Sequence, residues 1–349
     1  MRTHGGRWAE YLERYGRMPL DFSANTSPLG MPESARAAAV AALELADRYP
    51  DPRCCRLRHA LAQTYGLDAT DVLASNGAGD LIDRLALALR PRRALVTAPT
   101  FSEYRAAFER TDGYVEEYLL DQRTDFALDD GILDRITPEL GALVLCEPNN
   151  PTGRTSEPTL LRRVVERCDA TGTLLVVDEC FGDFLDEPQA QSLLQAVPRH
   201  RVLVLRAFTK FYGMAGLRLG WCACADHDLL RRMAEAGQPW PISIVAQEAG
   251  IAALADNDYA SRVRKIISRE RERLASALQA TGGRVICGEA NYLLVHDDTP
   301  DLAAHLEREG VLIRDCCDYS GLGPGWYRVA VRDARDNDRF LDAWEAVHA

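Results

Sequence analysis

Of the 41 basic side chains in this 349-residue sequence, only Lys210 and Lys265 are lysines. Lysine can lose its proton and attack a carbonyl, whereas arginine cannot, so each surviving lysine is a candidate nucleophile. Lys265 lies in an Arg/Glu-rich stretch that reads as a solvated helix face. Lys210 instead follows the apolar run 202–205, within Arg206-Ala207-Phe208-Thr209-Lys210. Other chemistry-bearing runs also follow apolar stretches. Pro99-Thr100-Phe101-Ser102-Glu103-Tyr104 comes after 94–97, and Glu147-Pro148-Asn149-Asn150-Pro151-Thr152-Gly153 after 142–146. Asp178-Glu179-Cys180-Phe181 comes after 174–177, and Gly216-Leu217-Arg218-Leu219-Gly220 lies just beyond Lys210. In open α/β sheets ligands bind beyond the carboxyl ends of strands. A lysine, an acid, an amide and an arginine would therefore converge on one crevice. Such a set suits an aromatic aldehyde that carries a phosphate and a ring nitrogen. Taken singly the signals are weak, since an aspartate can cap a helix and Asn-Asn-Pro is a turn. Their number and order carry the argument.

The elements that must position these residues follow from periodicity. Helical patterns fit 32–46, 56–65, 79–89 and 157–170, with Pro32 opening the first. Strands fit 94–97, 142–146, 174–177, 202–205 and 219–223. These runs do not alternate, which predicts strands covered on both faces by helices and hence an α/β fold with a mostly parallel or mixed sheet. After about residue 255 the character changes. One long amphipathic helix spans 258–281, followed by strands at 292–296, 311–314 and 327–331 and helices at 301–309 and 337–347. The division expected is an N-terminal arm and helix over 1–45 packing on a small lobe, a large lobe over 46–255, and a small α+β lobe over 256–349. A chain of this length exceeds what one core usually holds.

Composition excludes several classes. A net charge of −11 disfavours a nucleic-acid backbone as partner. No apolar run approaches a membrane span, and residues 1–7 carry no apolar segment of a signal peptide. Ten cysteines without a C-x-x-C pair argue against structural zinc and for a reducing cytoplasm.

The ordered set Asn149-Asn150-Pro151-Thr152-Gly153, Asp178-Glu179, Thr209-Lys210 and Arg218 resembles the signature of fold-type I pyridoxal-phosphate enzymes, the aspartate-aminotransferase superfamily, over essentially the whole chain. The resemblance implies a large domain with a mostly parallel seven-stranded sheet plus a small α+β domain. It also implies pyridoxal 5'-phosphate as cofactor. Lys210 is then the residue that takes the cofactor aldehyde covalently, and Asp178 pairs with the pyridinium nitrogen. Asn150 bonds the ring oxygen, Phe101 stacks on the ring, Arg218 binds the phosphate, and Thr209 is a further cofactor contact. Asn76-Gly77-Ala78-Gly79 opens a helix whose N–H groups cradle that phosphate. Tyr49 corresponds to the tyrosine that reaches the neighbouring subunit's cofactor, implying a homodimer.

Within the superfamily, His4-Gly5-Gly6, Asp21-Phe22-Ser23-Ala24-Asn25 and Pro28-Leu29-Gly30-Met31-Pro32 resemble the threonine-phosphate decarboxylases of cobalamin biosynthesis. So do Gln238-Pro239-Trp240, Ala290-Asn291-Tyr292-Leu293-Leu294, Ile313-Arg314 and Tyr327-Arg328-Val329-Ala330-Val331-Arg332. The implied reaction is decarboxylation of L-threonine O-3-phosphate to 1-aminopropan-2-ol phosphate. Arg314 and Arg328 would grip the substrate's phosphate and carboxylate, Asn150 would take part in holding the substrate, and His4 and Asn25 would assist. The related histidinol-phosphate aminotransferases share the cofactor residues but usually carry tyrosine where this chain has Phe181. Transamination of histidinol phosphate and decarboxylation of serine phosphate are the alternatives. Two departures from the pattern, Ala207 in place of a serine and Gly79 in place of a hydroxyl, predict a phosphate cup with fewer donors.

Overall fold

The computed structural model describes residues 5–349, so His4 lies outside the described residues. A two-residue strand, β1 (Leu20–Asp21), belongs to the N-terminal arm. The strands β2 (Val72–Ser75), β3 (Arg93–Ala98), β4 (Tyr114–Leu119), β5 (Ala142–Cys146), β6 (Leu174–Asp178), β7 (Val202–Ala207) and β8 (Gly220–Ala223) form the large sheet. Its order is β2-β8-β7-β6-β5-β3-β4, parallel throughout except that β8 runs antiparallel to both β7 and β2. Side chains alternate faces along each strand, yet both faces are dry. Val202 and Val204 of β7 pack with helices Cys55–Tyr65 and Pro158–Thr171, while Leu203 and Leu205 pack with helices Gly77–Leu89 and His227–Glu235. That double coverage is why the apolar runs show no alternation in the sequence.

Within the large sheet two strands escaped the sequence pattern. β2 is only four residues ending in Ser75, and β4 is an edge strand with Glu116 and Glu117 at its centre. Both boundaries matter to the site, because β2 leads directly into the glycine turn at Gly77.

Helix Asn257–Ala280 joins the two lobes. Tyr259, Val263, Ile267, Leu274 and Leu278 form its buried stripe at helical spacing. Beyond it β9 (Arg284–Ile286), β10 (Tyr292–His296), β11 (Val311–Leu312), β12 (Arg314–Asp315) and β13 (Trp326–Ala330) follow. Four of these make an antiparallel sheet in the order β12-β13-β10-β9, whereas β11 pairs in parallel with β1. In this sheet Arg314 and Arg328 are direct cross-strand partners.

The N-terminal arm divides its contacts. Phe22 N–H donates to Leu312 O at 2.7 Å and Phe22 O accepts from Ala330 N–H at 2.9 Å, so residues 20–24 lie along the small lobe. The helix expected over 32–46 is helical over Glu33–Ala42 and packs instead on helix Ile244–Leu254, within the span assigned to the large lobe. Small residues decide this: Ala35, Ala42, Ala246, Ala249 and Ala253 are all buried, which lets the two backbones approach closely. All ten cysteines are free. Among the described residues no helix is long and apolar enough to cross a membrane, and no His/Cys/Asp/Glu cluster could hold a metal.

Candidate active site

A cavity of about 270 Å³ opens at the carboxyl ends of β3, β5, β6 and β7, roofed by the N-terminal arm and the small lobe. Phe101, Asn150, Asp178, Thr209, Lys210 and Arg218 all reach its wall, together with Ala78, Gly79, Arg314 and Arg328. Strand order explains the convergence, since the parallel β3, β5, β6 and β7 are consecutive neighbours in the sheet and their C-terminal loops meet over one edge. Gly77 stands just behind the wall. Asn25 is fully buried but is not among the wall residues, which from the arm are Gly5, Ser23 and Ala24. Tyr49 is also away from the cavity. It is 79% exposed and stacks on Trp240 at 4.6 Å between ring centroids.

Lys210 enters the cavity from the loop after β7. Burial, and next the charge of Arg328, press its ammonium down to about 8 from the ordinary 10.5. Phe181 forms an apolar floor, its ring centroid 5.9 Å from Nζ and its edge packed on Tyr292. No hydroxyl stands at position 181.

Asp178 ends β6 with both oxygens engaged. Oδ2 accepts from the Tyr104 hydroxyl at 2.6 Å, and Oδ1 accepts from Cys180 N–H at 2.9 Å. Tyr104, in the first turn of helix Glu103–Glu109, lies three residues after Phe101 and edge-on to that ring at 80°, so the loop after β3 and the helix it enters supply the flat wall and the carboxylate's donor. A deeper layer fixes the two loops against each other. Buried Arg206, on β7, donates to Glu179 Oε2 at 2.6 Å and to Asp183 Oδ1 at 2.6 Å. A buried ion pair is weak evidence for stability, but here it ties the loop after Asp178 to the strand that ends before Lys210.

The anion cradle is built from backbone. Gly77 has φ +83°, and a Cβ there would stand 2.9 Å from Nη2 of Arg218. On the far side, a Cβ at Gly220 would meet Ala78 N at 2.6 Å and Gly77 C at 2.7 Å. The two glycines therefore let the N-terminus of helix Gly77–Leu89 press against β8, with Arg218 over it. Helix N-termini and guanidinium groups both favour phosphate. Ala207 and Gly79 line the same region without a hydroxyl, and a Cβ on Gly79 would meet nothing within 4 Å.

Cross-strand pairing brings Arg314 and Arg328 side by side. Like charges directly opposite each other repel, so the pair calls for anions. Arg328 is 6% exposed and donates only to neutral acceptors, Asn150 Oδ1 and Ser23 O, the latter at 2.9 Å. Its Nε is buried without a partner, and among the described residues no carboxylate pairs with it. Arg314 instead donates from Nη2 to both oxygens of Asp318, at 2.8 and 2.9 Å.

These features fit pyridoxal phosphate: a buried low-pKa amine, an oriented carboxylate, a flat aromatic wall and a glycine-lined anion cradle converge on one cavity. Sequence reasoning missed Tyr104, Ser23, Tyr319 and Cys180 as wall residues. For Tyr104 a signal existed, its place three residues after Phe101 in the run that follows β3. For Ser23, which acts through its carbonyl, none did.

Comparison with known proteins adds the following. The family model for aminotransferase class I and II matches residues 17–343. A threonine-phosphate decarboxylase of Salmonella typhimurium is 38% identical, covering 99% of this chain and 96% of its own. A histidinol-phosphate aminotransferase of Symbiobacterium thermophilum is 34% identical over 94% of this chain and 90% of its own. The crystal structure of the histidinol-phosphate aminotransferase from Clostridium acetobutylicum superposes with a TM-score of 0.88 at 25% identity, covering 94% of this chain and 98% of that one.

Proposed function

The chain belongs to the aminotransferase class I and II family of fold-type I pyridoxal-phosphate enzymes, and we propose that it decarboxylates L-threonine O-3-phosphate to 1-aminopropan-2-ol phosphate, a step of cobalamin biosynthesis. The observation that carries this reading is the opposed pair Arg314 and Arg328 beside Lys210. Two guanidinium groups on one face suit a small amine that bears two anionic ends. The 38% likeness to a threonine-phosphate decarboxylase over the full chain supports it.

In this reading Lys210, Asp178, Asn150, Phe101, Thr209, Arg218 and the turn Gly77-Ala78-Gly79 hold the cofactor. When bound, pyridoxal phosphate supplies the electron sink that receives the pair released at the substrate's Cα. Asp178, steadied by Tyr104 and the Cys180 N–H, holds negative charge against the ring nitrogen. Arg328, whose charge has no carboxylate partner among the described residues, takes the substrate carboxylate. Arg314 takes the phosphate, with His4 assisting, while Asn150 keeps Arg328 aimed; Asn25, buried behind the wall, is not a direct contact. Where these groups hold the carboxylate decides whether CO₂ or the Cα proton departs, a positioning effect. Lys210 Nζ, poised near neutrality, returns a proton to Cα as general acid. Tyr49 and Trp240, stacked and exposed, are the residues through which a second copy of the chain would approach.

The second reading is transamination of a phosphorylated amine such as histidinol phosphate, which the 34% identical relative favours and the absence of a hydroxyl at Phe181 disfavours. Incubation of holoenzyme with O-phospho-L-threonine, O-phospho-L-serine and histidinol phosphate separates the two, scoring CO₂ against carbonyl product. Carbonyl product from histidinol phosphate without CO₂ from either phospho-amino acid would overturn the decarboxylase reading.

A further inference from the structure

Resting on the phospho-amino-acid reading above, we infer that Asp318 is an affinity-setting counter-ion, occupying Arg314 in the free enzyme until the substrate's phosphate displaces it. Both ends of the Arg314 guanidinium are held by its own turn. Nη2 donates to Asp318 Oδ1 and Oδ2 at 2.8 and 2.9 Å, and Nη1 to the Asp315 carbonyl. Its cross-strand neighbour Arg328 shows the opposite state, with neutral acceptors and a buried, unpartnered Nε. One member of the like-charged pair is therefore neutralised from within the protein and the other is left open.

Exposure shows which partner can leave. The Arg314 side chain is 8% exposed and that of Asp318 42%. Arg314 is fixed further by Tyr319, whose ring lies 5.3 Å from its Cζ. The backbone on either side of Asp318 is anchored as well. Cys317 N–H donates to Asp315 Oδ1 at 2.9 Å, and the Ser320 hydroxyl donates to Glu117 at 2.6 Å. Asp318 can thus rotate its carboxylate into solvent without moving the turn, leaving Arg314 in place at the cavity wall.

A competing internal anion lowers the affinity of every ligand that must reach Arg314 by the same factor. A substrate also held at its carboxylate by Arg328 tolerates that loss, whereas a free phosphate ion, held by less, does not. Asp318 would then keep this pair of cavity-lining guanidinium groups from filling with stray anions. Ligands that never engage Arg314 should be indifferent to it.

The test uses holoenzyme, so that the cofactor's own phosphate already fills the glycine cradle. Inorganic phosphate is titrated calorimetrically into the parent, Asp318→Asn and Asp318→Glu, and KM and kcat are measured for O-phospho-L-threonine, with L-threonine as competitor. With the carboxylate gone, Asp318→Asn should bind phosphate about fivefold tighter, the factor expected when one half-exposed ion pair no longer competes. KM for O-phospho-L-threonine should fall by a similar factor while kcat and the inhibition constant of L-threonine stay nearly unchanged. Asp318→Glu, which keeps the charge, should resemble the parent. Unchanged or weaker phosphate binding by a folded Asp318→Asn, or an equal gain for L-threonine, would overturn the inference. Should the asparagine variant not fold, Asp318→Ser is read by the same criteria. Failure of the parent to turn over O-phospho-L-threonine would count against the decarboxylase reading, and the phosphate titration would still decide the role of Asp318.

Discussion

Cofactor-free protein should show Lys210 losing its proton near pH 8. The magnitude follows from its surroundings. Burial, with the charge of Arg328 second, lowers the amine from 10.5 to about 8. At about pH 7.5 roughly a quarter of such an amine is unprotonated, against about one in a thousand for an ordinary lysine, so the reactive fraction should exceed that of an unperturbed lysine by a factor on the order of 200. The assay is pH-dependent labelling with a neutral amine reagent, followed by peptide mapping; the chain offers only two lysines to distinguish. The sign of the linked stability effect is also defined. Because the folded state holds this proton less tightly than the unfolded chain, the charge destabilises the fold fully below pH 8, and the penalty fades as pH rises toward 10.5. Replacing the ammonium by a methionine should therefore stabilise cofactor-free protein by roughly 3 kcal/mol at about pH 6.5, with the gain vanishing above about pH 10.5. Arg328→Gln should raise the labelling midpoint only partway, since burial is the larger cause. A parent midpoint above about 10, or preferential labelling of Lys265, would refute the reasoning.

Three further outcomes follow from the cavity walls. Ala207→Ser, read by cofactor titration, should tighten pyridoxal phosphate binding by ~0.5–1.5 kcal/mol if the new hydroxyl makes one net hydrogen bond; unchanged affinity would mean the phosphate is already saturated with donors. Gly220→Ala should destabilise the protein by ~1–3 kcal/mol in denaturant unfolding and weaken cofactor retention, because the new methyl group collides with backbone at Gly77 and Ala78 rather than with a yielding side chain. Tyr104→Phe removes the donor to Asp178 Oδ2 and should cost ~1–2 kcal/mol of stability, with a shifted pH dependence of the bound cofactor's absorbance; an identical titration would show that Cys180 N–H alone holds the carboxylate.

Much of the site was legible because chemistry-bearing residues cluster after buried strands. Lys210, Asp178 and Asn150 each follow an apolar run too short for a helix, so their place at a sheet edge could be read without coordinates. The first long helix shows the limit. Its Ala-rich face is compatible with either lobe, and helix Ile244–Leu254, with Ala246, Ala249 and Ala253 buried, made the close partner. β4 went unseen because an edge strand needs only one buried face and tolerates Glu116 and Glu117.

Residue type and local order by themselves determined the lysine, the acid, the glycine turn and the α/β alternation. These depend on what a side chain can do and on which neighbours share its strand or turn. Tertiary structure alone decided the pairings across long separations. Tyr104 meets Asp178 across 74 residues, and Arg328 meets Ser23 across 305. The difference between Arg314 and Arg328 is of the same kind. Both are arginines on short strands, and nothing local distinguishes them. Strand register sets them opposite each other and the turn after β12 returns Asp318 to one of them, whereas among the described residues the other meets only a carbonyl oxygen from the arm and an amide oxygen from the loop after β5. Charge compensation in a buried site depends on three-dimensional neighbours, so no pattern along the chain could have told the neutralised guanidinium from the open one.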